Sequence, residues 1–224
     1  MSFGGAILPK KTLCGNSEVD YFIRGMKTGD HMIFFYDTPE RKQELLFSFL
    51  ADGLAKGEGA VYICSEESPE QIQQSMKTFD FDFSKFEKEE ALMIKNCEGW
   101  YRENGQFHYA KILAHMLETC EKFRRKGLKE MRGCGEMDCF FKYDAVRELL
   151  KYEYALHRML KVPAKAICAY NTYDMASRGY ADIIMPLVRA HRKAIFGGPY
   201  GFIVHKPENI EDSDVEKLMQ IKIR

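Results

Sequence analysis

No glycine occupies the turn Asp37-Thr38-Pro39-Glu40-Arg41-Lys42, although a buried strand (Met32 to Tyr36) precedes it and an amphipathic helix follows. A phosphate loop would read G-x-x-x-x-G-K-[ST] there, because only glycines let successive backbone N–H groups close around phosphate oxygens. Pro39 removes an N–H, and Asp37 and Glu40 would repel a triphosphate. The expectation is a chain that binds ATP weakly at best and does not hydrolyse it. Charge of one sign is also missing. Lys and Arg total 33 and so do Asp and Glu, so nothing global attracts nucleic acid or an anionic membrane. No apolar run is long enough to span a bilayer, and the opening MSFGGAILPKK is too short for a signal peptide. A cytoplasmic protein is expected.

Paired cysteines are absent as well. The seven, at 14, 64, 97, 120, 134, 139 and 168, include no C-x-x-C, and an odd, irregular set excludes a disulfide framework. Cys64, Cys97 and Cys168 end apolar runs and read as small buried hydrophobes. Their clustering at one rim would open the alternative of a thiol-bound metal. None of the six histidines stands close in sequence to a cysteine or a second histidine as a metal-ligand pair, so no metal or other cofactor is expected. There is no H-E-x-x-H, no G-x-S-x-G and no Ser-His-Asp ordering, and no catalytic residue is assigned.

What the chain does have is alternation. With 224 residues, 46% hydrophobic and 29% charged, one α/β domain is expected over 1–224, its core at 17–205 and a peripheral helix in 206–224. Strands are predicted at Met32–Tyr36, Ala60–Cys64, Ala91–Asn96, Leu128–Met137 and Lys165–Tyr170. Helices are predicted at Ser17–Lys27, Pro39–Ala55, from Ser68-Pro69, Tyr109–Lys126 before Gly127, Tyr143–Leu160 with Asp144 as cap, and Tyr180–Ala190 shortened by Pro186. A hairpin through GGPYG and a polar helix Asp212–Ile221 follow. Such a succession fits a RecA-like three-layer sandwich with a mostly parallel sheet, or a flavodoxin-like one.

In either, ligands bind beyond the C-terminal ends of the strands. That rule nominates Tyr36, Asp37, Glu66, Glu67, Asn96, Cys97, Gly135, Glu136, Tyr170 and Asn171. Glu66-Glu67 also complements the positive end of the helix behind it. Arg132 and Glu136 are four apart on one strand and share a face, as a structural ion pair at the sheet edge or as a ligand contact. Glu153 is a third candidate for a charge near the core.

HMIFFYD with its uninterrupted helix, GLAKGEGAVYIC, RGCGEMD, Tyr152-Glu153, ICAYNTYD and His191, in that order, resemble the MEDS domain, a sensory domain named from methanogens, methylotrophs and the regulator DcmR. The resemblance covers Gly29 to His191. It implies kinship with KaiC-type RecA-like ATPases whose nucleotide loop has been lost, and a non-catalytic role in sensing small hydrocarbon derivatives. It points to His31, Tyr36, Arg132, Glu136, Tyr170 and His191 as polar positions of interest. It further implies signalling through a regulator or kinase protein. About thirty residues after His191 leave no room for a helix-turn-helix, so direct DNA binding is not expected, while self-association is. The expected ligand is a small apolar or methylated compound at the rim, walled by Tyr36, Cys64, Cys97 and Tyr170 and anchored by Glu136 and Arg132.

Overall fold

A computed structural model describes residues 17–159, 163–191, 193–206 and 212–221. The N-terminal stretch, Cys14 and Leu160 lie outside them. Helix α1 (Ser17–Arg24) leads into β1 (His31–Tyr36), α2 (Pro39–Ala55), β2 (Gly59–Cys64), α3 (Pro69–Met76), α4 (Phe83–Lys88), β3 (Leu92–Asn96) and α5 (Cys97–Trp100). A small ribbon, β4 (Arg102–Glu103) with β5 (Gln106–Phe107), precedes α6 (Tyr109–Arg125), β6 (Met131–Glu136), α7 (Asp138–Lys142), α8 (Val146–Met159), β7 (Ala164–Asn171) and α9 (Thr172–Ser177). A 3₁₀ turn (Ala181–Ile183), α10 (Ile184–Ala190), the hairpin β8 (Ala194–Gly198) and β9 (Gly201–His205), and α11 (Asp212–Leu218) complete the order.

Seven strands form one sheet in the order β3-β2-β6-β7-β1-β8-β9. Every neighbouring pair is parallel except β8 with β9. β6 and β7 stand between β1 and β2, which excludes the flavodoxin-like order, where the first two strands are adjacent. β1 and β2 are buried at every position, as strands covered on both faces must be, and their apolar runs HMIFFY and GAVYIC supply that surface. β3, at one edge, ends in the exposed Lys95 and Asn96.

α2 explains the depth of the site. Thr38 caps it, its hydroxyl accepting from the Arg41 N–H at 3.3 Å, and Pro39 occupies the first turn, where no N–H is needed. The helix is then buried from Leu45 through Leu54, with Phe47 against Tyr62, Phe79 and Phe83. Ser68 and Gln71 form a reciprocal capping box on α3. Gly127, at φ +80°, takes the left-handed conformation that ends α6.

Several local outcomes differ from expectation, among them α4, α5, α9 and the β4–β5 ribbon, none of which was foreseen. α8 begins at Val146, because Asp144 sits at φ +53° and accepts from the Tyr180 hydroxyl instead of capping. Asp138–Lys142 forms a short helix where none was foreseen. Pro186 is accommodated in the first turn of α10, preceded by the 3₁₀ turn. α11 packs on α10 and α8 with Val215 and Leu218 buried.

Candidate functional site

The nominated residues separate into three groups. At the C-terminal ends of β1, β2 and β6, Lys42 reaches in from α2 with its side chain fully buried. Its Nζ lies 2.6 Å from Glu66, 2.9 Å from Glu67 and 2.9 Å from Glu136. Glu136 also accepts from the Tyr62 hydroxyl at 2.7 Å and from the backbone N–H groups of Ser65 and Glu66 at 2.7 and 2.8 Å. Asn171 donates to Glu66 at 2.6 Å, and the Tyr36 hydroxyl to Asp138 at 3.2 Å. Burial by itself would lower the Lys42 pKa, but Glu136 and Glu66 more than offset it and hold the ammonium charged above the usual lysine range. Burial also acts to raise Glu66, yet Lys42 and Asn171 carry it below the usual carboxylate value. Asp138 has no cation of its own, so burial and then the charges of Glu66 and Glu136 push its pKa well above the usual carboxylate value. Asp37 lies beside Gly198, near the point where Arg41 donates to the Gly198 and Pro199 carbonyls.

Arg132 belongs elsewhere. It shares a face with Glu136 but sits near the other end of β6, about 13 Å away at strand rise. Its guanidinium lies 2.7 Å from Asp52, pairs with Glu58 and donates to the Phe49 carbonyl at 2.9 Å. Lys165 joins Glu58 and Glu130 to the same network at 2.8 and 2.6 Å. β6 is the third strand of the sheet, so this is an interior ion pair, not an edge one, and Arg132 is no partner of Glu136.

Tyr170, His31 and His191 form the third group, on the sheet face covered by α8. The Tyr170 hydroxyl donates to Glu153, and His31 Nε2 and His191 Nε2 each lie 3.3 Å from the other oxygen of that carboxylate. His31 Nε2 is 3.2 Å from Cys168 Sγ, and the His157 ring packs on both other imidazoles. Burial lowers the His31 pKa well below its ordinary value, reinforced by His191. Glu153, equally deep, is raised by burial, but His191 and Tyr170 outweigh this and hold it low.

The rim pocket walled by Tyr36, Cys64, Cys97 and Tyr170 is therefore not assembled as one cavity. Tyr36 and Tyr170 point to opposite faces, Arg132 stands at the far end, and Lys42 with its carboxylates fills the rim. Cys64 faces the Lys95 carbonyl at 3.3 Å, its thiol pushed up to about 12 by burial and Glu136. Cys97 interacts with Cys139, which lowers its pKa. The structure has instead a small apolar void of about 20 Å³ on the α8 face, lined by Val61, Ile63, Trp100, Tyr101, Met116 and Tyr152. Gly133 and Gly135 form its floor. A Cβ on Gly135 would fall 1.8 Å from the Tyr101 hydroxyl, whereas one on Gly133 would meet nothing nearer than 3.8 Å. An open groove of about 420 Å³ between α3 and α4, lined by Gln73, Phe79, Phe81 and Glu87, holds none of the nominated residues.

Sequence reasoning passed over Lys42 and His157. Each had a signal: Leu45, Leu46 and Phe49 follow Lys42 at helical spacing, and His157 stands one turn after Glu153. Asp138 and Tyr62 carried none that could be read along the chain.

Comparison with known proteins bears on the fold and the family. A UPF0273 protein of Saccharolobus solfataricus is 46% identical over 46 residues, 20% of this chain and 16% of the relative. The match thus spans about a sixth of that relative's length. A KaiC-like protein from the hyperthermophilic archaeon Pyrococcus horikoshii superposes with a TM-score of 0.56 at 18% identity, over 83% of this chain and 82% of the other. At that identity the likeness concerns the fold, which is RecA-like. Among the described residues no helix is long and apolar enough to cross a membrane. The family model of the methanogen/methylotroph, DcmR sensory domain matches residues 30–192, and with most of its length so matched the chain belongs to the MEDS family.

Proposed function

We propose that this chain is a non-catalytic sensory domain that takes up a small, largely apolar or methylated compound and passes the bound state to a partner protein. The observation that carries the reading is the void over Gly133 and Gly135, lined by aromatic and sulfur-bearing side chains. Its volume suits a one-carbon group, since about 10–15 Å³ already accommodates a water-sized probe. Its walls would favour an apolar or methylated group over a charged one. A ligand shifts a conformational equilibrium only by its differential affinity for the two states, and filling a void beneath Trp100 and Tyr101 is such a difference. The signal would leave through exposed surface. The β8–β9 hairpin offers Tyr200 in its turn and Ile203 on the last strand of the sheet, both exposed, and self-association or partner binding would use that edge.

The test is a thermal-shift screen with methanol, methylamine, methanethiol and halomethanes, on the wild type and on Gly133→Ala. The added methyl occupies the void without a clash, so the variant should fold normally and lose the ligand-dependent rise in Tm. A rise that persists in Gly133→Ala places the ligand elsewhere. No rise with any of these compounds would favour a ligand-free scaffold.

A further inference from the structure

His31 opens β1, Cys168 lies on β7, Glu153 and His157 are one turn apart on α8, and His191 follows the last residue of α10. Four elements distant in sequence thus converge on one buried point. His31 Nε2 and His191 Nε2 are both 3.3 Å from the same Glu153 oxygen. The ligating atoms of His31, His157 and His191 all lie within 4.8 Å of one another. Four ligands held about 2.0–2.1 Å from a tetrahedral ion are separated by about 3.3–3.4 Å. The two contacts to Glu153 have that length, although Glu153 groups with His31 and Cys168 and not with all three imidazoles.

Hydrogen bonding supplies an independent reason. His191 Nδ1 lies 2.6 Å from the Leu187 carbonyl, which can only accept. Nδ1 therefore carries the hydrogen, and in the neutral ring the Nε2 lone pair faces the Glu153 carboxylate. Two acceptors then face one another unless a proton or a metal ion lies between them, and either satisfies the contact. A backbone carbonyl holding the outer nitrogen is also the usual support of a metal-bound imidazole. His31 is engaged only through Nε2, its buried Nδ1 having no partner. Oxygen-seeking ions such as magnesium or calcium do not match imidazole-rich surroundings, whereas zinc, cobalt and ferrous iron do.

We propose that His31, His157 and His191 bind one divalent transition-metal ion of the zinc class, with Glu153 and Cys168 as neighbours on the His31 side. The ion would tie β1, α8 and the end of α10 together across the sheet face. It does not depend on the sensory reading, because neither the void nor a ligand enters the argument.

The test begins with elemental analysis and native mass spectrometry of the full chain, then titration of chelator-stripped protein with Zn²⁺ and Co²⁺. About one equivalent per chain should bind and raise Tm. Bound Co²⁺ should show the intense visible bands of a tetrahedral site without a thiolate charge-transfer band. His157→Gln, at a half-buried position, should weaken binding at least about tenfold, with His191→Ala as the deeper variant and His108→Ala as a control outside the cluster. If His191→Ala does not fold, His157→Gln carries the test alone. Folded wild type that takes up no Zn²⁺ or Co²⁺ overturns the proposal, as does wild-type affinity in His157→Gln. A thiolate band overturns this ligand set in favour of Cys168.

Discussion

Lys42 is one ammonium among three carboxylates, and Glu136 is fully buried beside it. Removing the cation leaves those charges uncompensated, which typically costs about 3–5 kcal/mol. Lys42→Met should lose about that much stability near neutral pH in urea unfolding. Glu66, held below its ordinary pKa, contributes stability above its unfolded value and loses it as pH falls through the folded one. The deficit of Lys42→Met should therefore shrink in acid, and adding Glu136→Gln should recover part of it. Equal stability of Lys42→Met and wild type would show that the cluster is not held by its charge. Asp138 has the opposite sign. Its raised pKa means that its contribution is full below the unfolded value and is lost as pH rises through the folded one. Asp138→Asn keeps an acceptor for Tyr36 and cannot ionise, so it should gain about 1 kcal/mol at neutral pH or above and nothing in acid. Urea titrations at acid and neutral pH decide this.

At the scale of elements, the approach of α2 to β6 depends on Gly53. A Cβ there would lie 2.5 Å from Arg132 Cδ. Arg132 cannot swing aside, since Asp52, Glu58 and the Phe49 carbonyl hold its guanidinium on every side. Gly53→Ala should therefore cost about 1–3 kcal/mol through overpacking. Gly99→Ala, on α5 with nothing within 4 Å of the added atom, should be near neutral; equal effects at both sites would mean that α2 can slide away from the sheet. Much of α2 was legible beforehand, because Pro39 and the leucine spacing mark its start and buried face, while the Thr38 cap emerged only in the structure. α7 was not legible, since Asp138–Lys142 has neither periodicity over enough residues nor a side-chain cap.

At the scale of the whole molecule, the RecA-like fold places a strand, a turn and a helix at β1–α2, and the turn carries no phosphate-loop glycines. Counted back from Lys42, the two loop glycines would fall at Tyr36 and Arg41. Tyr36 is buried with its hydroxyl on Asp138, Arg41 is bound to the β8–β9 turn, and Lys42 is engaged by protein carboxylates. Calorimetry with Mg-ATP is expected to give no micromolar binding. Micromolar affinity, or turnover that disappears in Glu67→Gln, would replace the sensory reading with that of a divergent NTPase.

Local order was determined by the sequence alone. Buried strands announce themselves as apolar runs, and helix ends by Ser68-Pro69 and Gly127, because these signals act over a few residues. The missing glycines between Tyr36 and Gln43 were equally plain. Strand order was decided only in three dimensions, and with it which polar groups meet. Tyr170 stands at the end of a strand, as expected, yet turns to Glu153 on the α8 face, while Tyr36 on the adjacent strand turns to Asp138. Arg132 and Glu136 share a strand face but find separate counter-charges, on α2 and the residues after it. His31, His157 and His191 are far apart along the chain and touch in the fold. Buried charges and imidazoles must be satisfied by whatever the packing brings within about 3 Å, and that distance is set by the tertiary fold, not by spacing in the sequence.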